Sequence, residues 1–432
     1  MNRRRRRSNP IRIILLVVLV GVGLYVNQVV VPATPPLFVP TPTPTRSPES
    51  FAVEAKQFAV EGKMAQAILS YEEAVQSDPK NANNYVELAR LQVYAGKYAE
   101  AVTSAENALL LNPNHSMASA LRGWALSYME EYLPAEAAFK RALEIDPNNA
   151  AAYAYQAEML ASQVSANLGD LGTLDKAVAA SRMAQQIDPN LMETRRARGI
   201  VLELTGNYAE AAAEFEAAVA INPNLADLHL ALGRNYRQLE DYARAIEEFN
   251  RANALNPADP LPDTYIARTY VTVGEYGKAI QYAEQAVKDA AADPYMWGNL
   301  GTMYYRNQQF NEALNPLALA VKGGRTPEGV EVQGLPLDYG RIAEYYYLYG
   351  LAAARTGECG VALPIAQALM EGVPDDQISV DNADAMITIC QEIADGTYQL
   401  AGEEDGEEGA EGEEGESDMT TTPESADITP TP

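Results

Sequence analysis

Prolines that follow Asp or Asn recur along this chain at a fixed distance. Pro79, Pro113 and Pro147 stand 34 residues apart, and so do Pro189, Pro223 and Pro257. The step from Pro147 to Pro189 is 42, an insertion of eight, and the step from Pro257 to Pro294 is 37, an insertion of three. A constant period of this size makes the chain a row of copies of one supersecondary unit. Each copy leaves an apolar face that only its neighbour can bury.

With the proline set at position 32, three positions hold small residues throughout. Position 8 is Ala55, Ala89, Gly123, Ala157, Gly199, Gly233, Ala267, Gly301 and Gly350. Position 20 is Ala67, Ala101, Ala135, Ala177, Ala211, Ala245, Ala279, Ala313 and Ala362. Position 27 is alanine in eight units and Leu369 in the ninth. Two antiparallel helices approach closely only where facing side chains are small, and Phe139, Phe215 and Phe249 at position 24 fill the space beside them. Gly62, Gly96, Gly206 and Gly274 permit the turn inside the hairpin. The Asp-Pro or Asn-Pro pair ends the second helix, and a following Asn can cap the next.

The stretch WGNLGTMYY, with Trp297, Leu300, Gly301 and Tyr304, carries the signature of the tetratricopeptide repeat family, and Leu232 to Pro257 repeats the pattern. The chain resembles that family over about residues 48–376. It departs from the pattern at Gln92, Ala105 and Ser181. The resemblance implies an all-α fold, a right-handed α-solenoid of about nine helical hairpins. ISVDNADAMITICQEIADG then reads as a closing helix over the last open face.

The same resemblance implies a protein or peptide partner held in a concave groove lined by positions 2, 5, 9, 12 and 13 of the first helices. Those positions include Lys56, Arg90, Trp124, Arg196, Arg234, Arg237, Arg268, Tyr305, Arg306 and Tyr347. A basic, partly aromatic groove in an acidic protein is expected to take an extended acidic segment, the chain's own C-terminal tail being one option. Pairing of these arginines with acids on neighbouring helices is the other reading. The family's carboxylate-clamp pattern, Lys at position 5 with Asn at position 9, is absent, so a chaperone-tail ligand is not implied.

The two ends have a different composition. Residues 1–12 form an Arg-rich segment, and residues 13–31 are apolar apart from Asn27 and Gln28. That run is close to the roughly 20 residues that span a bilayer as helix. Six Arg precede it and none follows until Arg46, which predicts a signal anchor with a cytoplasmic N-terminus and everything downstream exported. Cleavage near Ala33, giving a secreted protein, is the alternative. Residues 32–48 read as a Pro/Thr-rich stalk, 49–376 as the repeat array and 377–398 as the closing helix. Residues 399–432 read as an acidic disordered tail, with twelve acids and no base after residue 402.

The net charge of −27 argues against a nucleic-acid partner, whose phosphates it repels. Two histidines in different segments and two cysteines make a metal site an unfavourable reading, and no cofactor is expected. No phosphate loop, G-x-S-x-G elbow or converging set of titratable residues supports an enzyme. Asn114-His115-Ser116 matches a glycosylation sequon by pattern. Structural spacing without a groove ligand is the alternative function.

Cys359 opens the second helix of unit nine and Cys390 lies late in the closing helix. Each is 13 residues from the turn between them. At about 1.5 Å per residue both sulfurs stand at similar height, which predicts a Cys359–Cys390 disulfide in an oxidising compartment. Two interruptions are expected as loops, 162–175 within unit four and 322–340 between units eight and nine. Pro316 and Pro364 should kink their helices.

Overall fold

The computed structural model describes residues 9–30 and 46–398. The stalk up to residue 45, the first eight residues and the acidic tail lie outside them. Helix α1, Pro10–Tyr25, continues as a π-helical turn over Val26–Val30.

The remaining helices come in pairs. They are α2 Pro48–Val60 with α3 Met64–Ser77, α4 Ala82–Tyr94 with α5 Tyr98–Leu111, and α6 Ser116–Tyr128 with α7 Tyr132–Ile145. Next stand α8 Ala150–Ser165 with α9 Thr173–Ile187, α10 Met192–Leu204 with α11 Tyr208–Ile221, and α12 Ala226–Gln238 with α13 Tyr242–Leu255. The last are α14 Leu261–Thr272 with α15 Tyr276–Asp289, α16 Pro294–Arg306 with α17 Phe310–Lys322, and α18 Arg341–Arg355 with α19 Cys359–Gly372. Nine hairpins therefore stack into an α-solenoid, and α20, Gln377–Ala394, closes it.

The small residues sit where the helices of a pair meet. Ala67, Ala101, Ala135 and Ala177 are fully buried, as are their counterparts along the array. Position 8 is matched to position 24 by volume. A Cβ on Gly233 would stand 2.6 Å from the Phe249 ring, and one on Gly301 2.4 Å from Leu317. Gly350 of unit nine instead faces Met386 of the closing helix, whose sulfur would lie 2.4 Å from an added Cβ. In unit two the departure at Gln92 is satisfied inside the hairpin, because buried Ser104 donates to its side chain at 2.7 Å.

The recurrent Asp-Pro or Asn-Pro phrase has a second role besides ending a helix. The acidic or amide oxygen of Asn112, Asp146, Asp188 and Asn222 accepts from the backbone N–H two residues on, at 3.1, 3.0, 3.0 and 3.1 Å. This Asx turn fixes the reversal between units. The turn inside each hairpin needs one residue with positive φ. Gly62 supplies it at +76°, whereas Glu130 and Glu240 adopt +61° without glycine.

Two expectations need correction. The 322–340 interruption is not a plain loop: β1, Gly323–Arg325, pairs antiparallel with β2, Glu331–Gln333. Val332 buries in the C-terminal core and Leu335 donates its N–H to Ala320, so the ribbon is docked on the array. Much of the 162–175 insertion is absorbed by helix, since α8 runs to Ser165 and α9 starts at Thr173. Helices α17 and α19 run through Pro316 and Pro364 without interruption, each proline removing only its own N–H from the ladder.

Cys359 and Cys390 are joined by a disulfide with Cα atoms 5.7 Å apart. It ties α20 to α19 across a separation of 31 residues. In the chain-entropy account a loop of this length contributes about 3–4 kcal/mol. That stabilisation falls at the end of the array, where one face has no further repeat to cover it.

Candidate functional site

The first helices of successive units line the inside of the solenoid, as their side chains show by meeting across it. Arg90 on α4 pairs with Glu193 on α10 at 3.1 Å, 103 residues away. Asn224, in the turn before α12, donates to the backbone carbonyl of Val60 at 2.7 Å. Met64 and Tyr94 pack against the core of units five and six. The first superhelical turn thus closes on itself, and unit one touches the start of unit six.

Inside that closed turn the groove is filled by the chain's own side chains. Trp124 is fully buried, stacks on Tyr155 with ring centroids 4.1 Å apart, and meets the edge of Tyr94 at 5.3 Å. Its indole N–H donates to Glu158 at 2.9 Å. Arg196 lies over the Trp124 ring at 5.2 Å and pairs with Glu158 at 3.4 Å and Asp227 at 3.1 Å. The Tyr94 and Tyr155 hydroxyls both donate to Glu193 at 3.3 Å.

The electrostatics of this cluster follow from its composition. Arg196 is held well above the usual guanidinium range because Asp227 and Glu158 together outweigh its burial. Glu158 is pushed up to about 7 by burial, which Arg196 and the Trp124 hydrogen bond only partly oppose. Arg90 and Arg196 share three acids, Glu158, Glu193 and Asp227, so one acid is in surplus, and the shift falls on buried Glu158.

Trp124 and Arg196, expected on an open binding surface, are therefore corrected: they are internal structure. Arg90 is half-buried and committed to Glu193. Lys56 is exposed, at the edge of a cavity of about 660 Å³ on the seam between units one and two and unit five. Tyr71 also lines this cavity, and its hydroxyl is buried without a partner.

The C-terminal units present a different inner face. Arg234 is neutralised by Glu203 through two bonds of 2.8 and 3.0 Å. Arg237, one turn further along α12, and Arg268 on α14 are half-buried, and each has a buried Nε–H without a partner. Among the described residues no carboxylate reaches salt-bridge distance of either. Arg268 donates to the Asn299 side chain at 2.7 Å, which also accepts from the Tyr345 hydroxyl at 2.9 Å. Burial holds the Arg268 guanidinium below its usual range, and the like charges of Arg341 and Arg237 add to the effect.

The stripe continues toward the C-terminus. Arg306 and Arg341 share one carboxylate, Glu344, at 3.5 and 3.7 Å. Arg355 lies 5.9 Å from the Tyr305 ring centroid and 5.0 Å from that of Phe310, with its own Nε–H unpartnered. Tyr347 is half-buried between these cations, its hydroxyl raised by burial and then by Glu344. Of the ten groove candidates, the structure thus gathers Arg237, Arg268, Tyr305, Arg306 and Tyr347 along one cationic, aromatic stripe. Sequence reasoning missed Arg341, which precedes the first repeat position of α18, and passed over Arg355, which stands at position 13, one of the five groove positions. Among the described residues no cluster of His, Cys, Asp and Glu forms a metal site.

Known proteins resemble the chain through these repeats. Tetratricopeptide repeat models match residues 61–125 and 204–268, residues 266–329, and residues 118–149. No curated protein matches the sequence. The crystal structure of a tetratricopeptide repeat protein from Parabacteroides merdae ATCC 43184 is similar at 16% identity. The match covers 59% of this chain and 98% of that one, with a TM-score of 0.38, too low to carry an argument about shape. Repeats of this kind are modules of protein–protein interaction. Matches at both ends of the array, nine stacked hairpins and a 34-residue register built on positions 8, 20 and 27 lead to one conclusion: the chain belongs to the tetratricopeptide repeat family.

Proposed function

We propose that the protein is a membrane-tethered, exported scaffold that holds an extended acidic segment of a partner protein on the inner face of units six to nine. The observation that carries this reading is the pair Arg237 and Arg268. Two half-buried guanidinium groups without a carboxylate, in a chain of charge −27, are an unmet demand for anions. Tyr305 and Tyr347 beside them offer flat apolar surface to the same segment. The N-terminal turn has met that demand internally, so units one to five act as a rigid spacer between membrane and binding face.

Support for the tether comes from Pro10–Val29, a helix of 20 residues with mean hydropathy 2.1 and none of it buried. The arginines on its N-terminal side favour export of the repeats. The disulfide fits an oxidising compartment.

The test is co-purification from solubilised membranes with the full chain and with the Arg237→Gln/Arg268→Gln variant as baits. A partner lost with the variant, whose cross-linked segment is acidic, is the expected result. A set of partners identical for both baits would overturn the reading. Protease added to intact spheroplasts should digest the repeats, and full protection would reverse the orientation.

A further inference from the structure

We infer that the acidic tail of this chain, residues 403–418, covers the arginine stripe of units six to nine in cis and competes there with the partner's acidic segment. The inference rests on the binding face proposed above and adds its regulation. Three observations carry it.

The first is where the described chain ends. Helix α20 stops at Ala394, and Gly396 at φ +69° turns the backbone, with Thr397 donating back to Glu392 at 2.8 Å. Tyr398 follows, half-buried, and the Cys359–Cys390 disulfide holds this end of α20 beside the end of α18 that carries Arg355, four residues before Cys359. Tyr305 is the aromatic over which Arg355 lies and the neighbour of Arg306. The described chain therefore ends near Arg355, at one end of the stripe.

The second is charge. Residues 403–418 carry ten acids and no base. The body they leave is itself strongly acidic, so most of its surface repels them. The run Arg355, Arg306, Arg341, Arg268 and Arg237 carries five cations, and among the described residues Glu344 is the one acid paired within it. Complementary charge of this kind selects the stripe over the rest of the surface.

The third is reach. Glu403 stands five residues beyond Tyr398, about 17 Å in extended chain. The whole of 399–432 extends to about 110 Å, long enough to follow the four units six to nine. A short flexible tether gives an effective concentration on the order of 1 mM. A tail that binds in trans at about 100 µM is then held in cis by roughly ten to one. Such an occupant excludes weak anionic partners and yields to tight ones.

The probe is a fluorescent synthetic peptide of residues 399–418, titrated against the full chain and a chain ending at Tyr398, both in nanodiscs. The shortened chain should bind it about ten-fold more tightly than the full chain does. Raising salt from about 50 to 500 mM should weaken that binding. A peptide with every acid replaced by glutamine should not bind. Arg237→Gln/Arg268→Gln in the shortened chain should lose at least ten-fold, with an unchanged circular dichroism spectrum.

Equal affinity of full and shortened chains would end the cis cover while leaving the binding face intact. No binding to either would remove the binding face as well. Undiminished binding by the arginine variant, or by the glutamine peptide, would overturn the assignment to this stripe. Masking that appears only at high protein concentration would make a second copy the source of the tail and overturn occupancy in cis.

Discussion

The two ends of the solenoid are built from the same hairpin, yet they treat their inner faces in opposite ways. In units two to five the first helices bring Arg90, Arg196, Glu158 and Glu193 together around Trp124, and each cation finds a carboxylate. In units six to nine Arg237, Arg268 and Arg355 have none among the described residues. A repeat fold fixes where a side chain points. It does not fix whether the opposite wall supplies a partner. Closure of the first turn brings opposite walls together, as the 2.7 Å bond from Asn224 to Val60 shows. The C-terminal units leave their stripe to be met by something else.

The comparison breaks most visibly at Arg196. Replacing it with methionine keeps an apolar stem over the Trp124 ring but leaves Glu158 and Asp227 without their cation. Removing one partner of a buried pair costs about 3–5 kcal/mol. Each half contains one tryptophan, Trp124 and Trp297, so urea transitions read by either ring in a single-Trp background report the two ends separately. The expected loss appears in the Trp124 transition at pH 8 and is smaller at pH 5, where Glu158 is protonated. A shift below about 1 kcal/mol at pH 8 would mean that the closed turn does not depend on its ionic cluster.

A smaller effect should come from Glu158 itself. Its folded-state pKa of about 7 lies above the ordinary value of 4.5, so the folded chain binds a proton that the unfolded chain releases. Stability from this group is therefore highest below pH 4.5 and falls as pH rises to about 7, after which it is flat. A shift of this size corresponds to something on the order of 3 kcal/mol. Glu158→Gln keeps an acceptor for the Trp124 indole and has nothing to titrate. The difference between parent and variant should follow that window in the Trp124 transition and be absent from the Trp297 transition. A pH-independent difference would remove the surplus-acid account.

The sequence made the hairpins legible and the pairing illegible, for a physical reason. Gly233 against Phe249, or Ala101 fully buried, is a contact within one unit, and a period of 34 writes it repeatedly. Arg90 finds Glu193 across 103 residues, and only the pitch of the whole array decides that meeting. No single repeat contains the pitch. Trp124 and Arg196 were therefore placed on the correct face and in the wrong role. Arg237 at position 12 and Arg268 at position 9 belong to the same set of groove positions, and nothing local distinguishes them. The β1–β2 ribbon was hidden for a related reason: three-residue strands carry too short an alternation to be read, and their order comes from docking Val332 in the core.

The smallest stability effect, and the sharpest test of the comparison, is the same substitution at the other end. Arg268→Met removes one hydrogen bond, to Asn299, whose oxygen keeps the Tyr345 hydroxyl as donor. It strands no carboxylate. It also removes a cation from beside Arg341 and Arg237, which already work against its charge. A charged hydrogen bond is worth about 1.5–3 kcal/mol, and relief of burial and like-charge repulsion offsets much of it. The Trp297 transition should move by no more than about 1 kcal/mol, against the larger loss for Arg196→Met read at Trp124. Binding of the 399–418 peptide to the chain ending at Tyr398 should fall severalfold in the same variant. If Arg268→Met instead costs as much stability as Arg196→Met, the C-terminal arginines are structural after all, and the two inner faces do the same job.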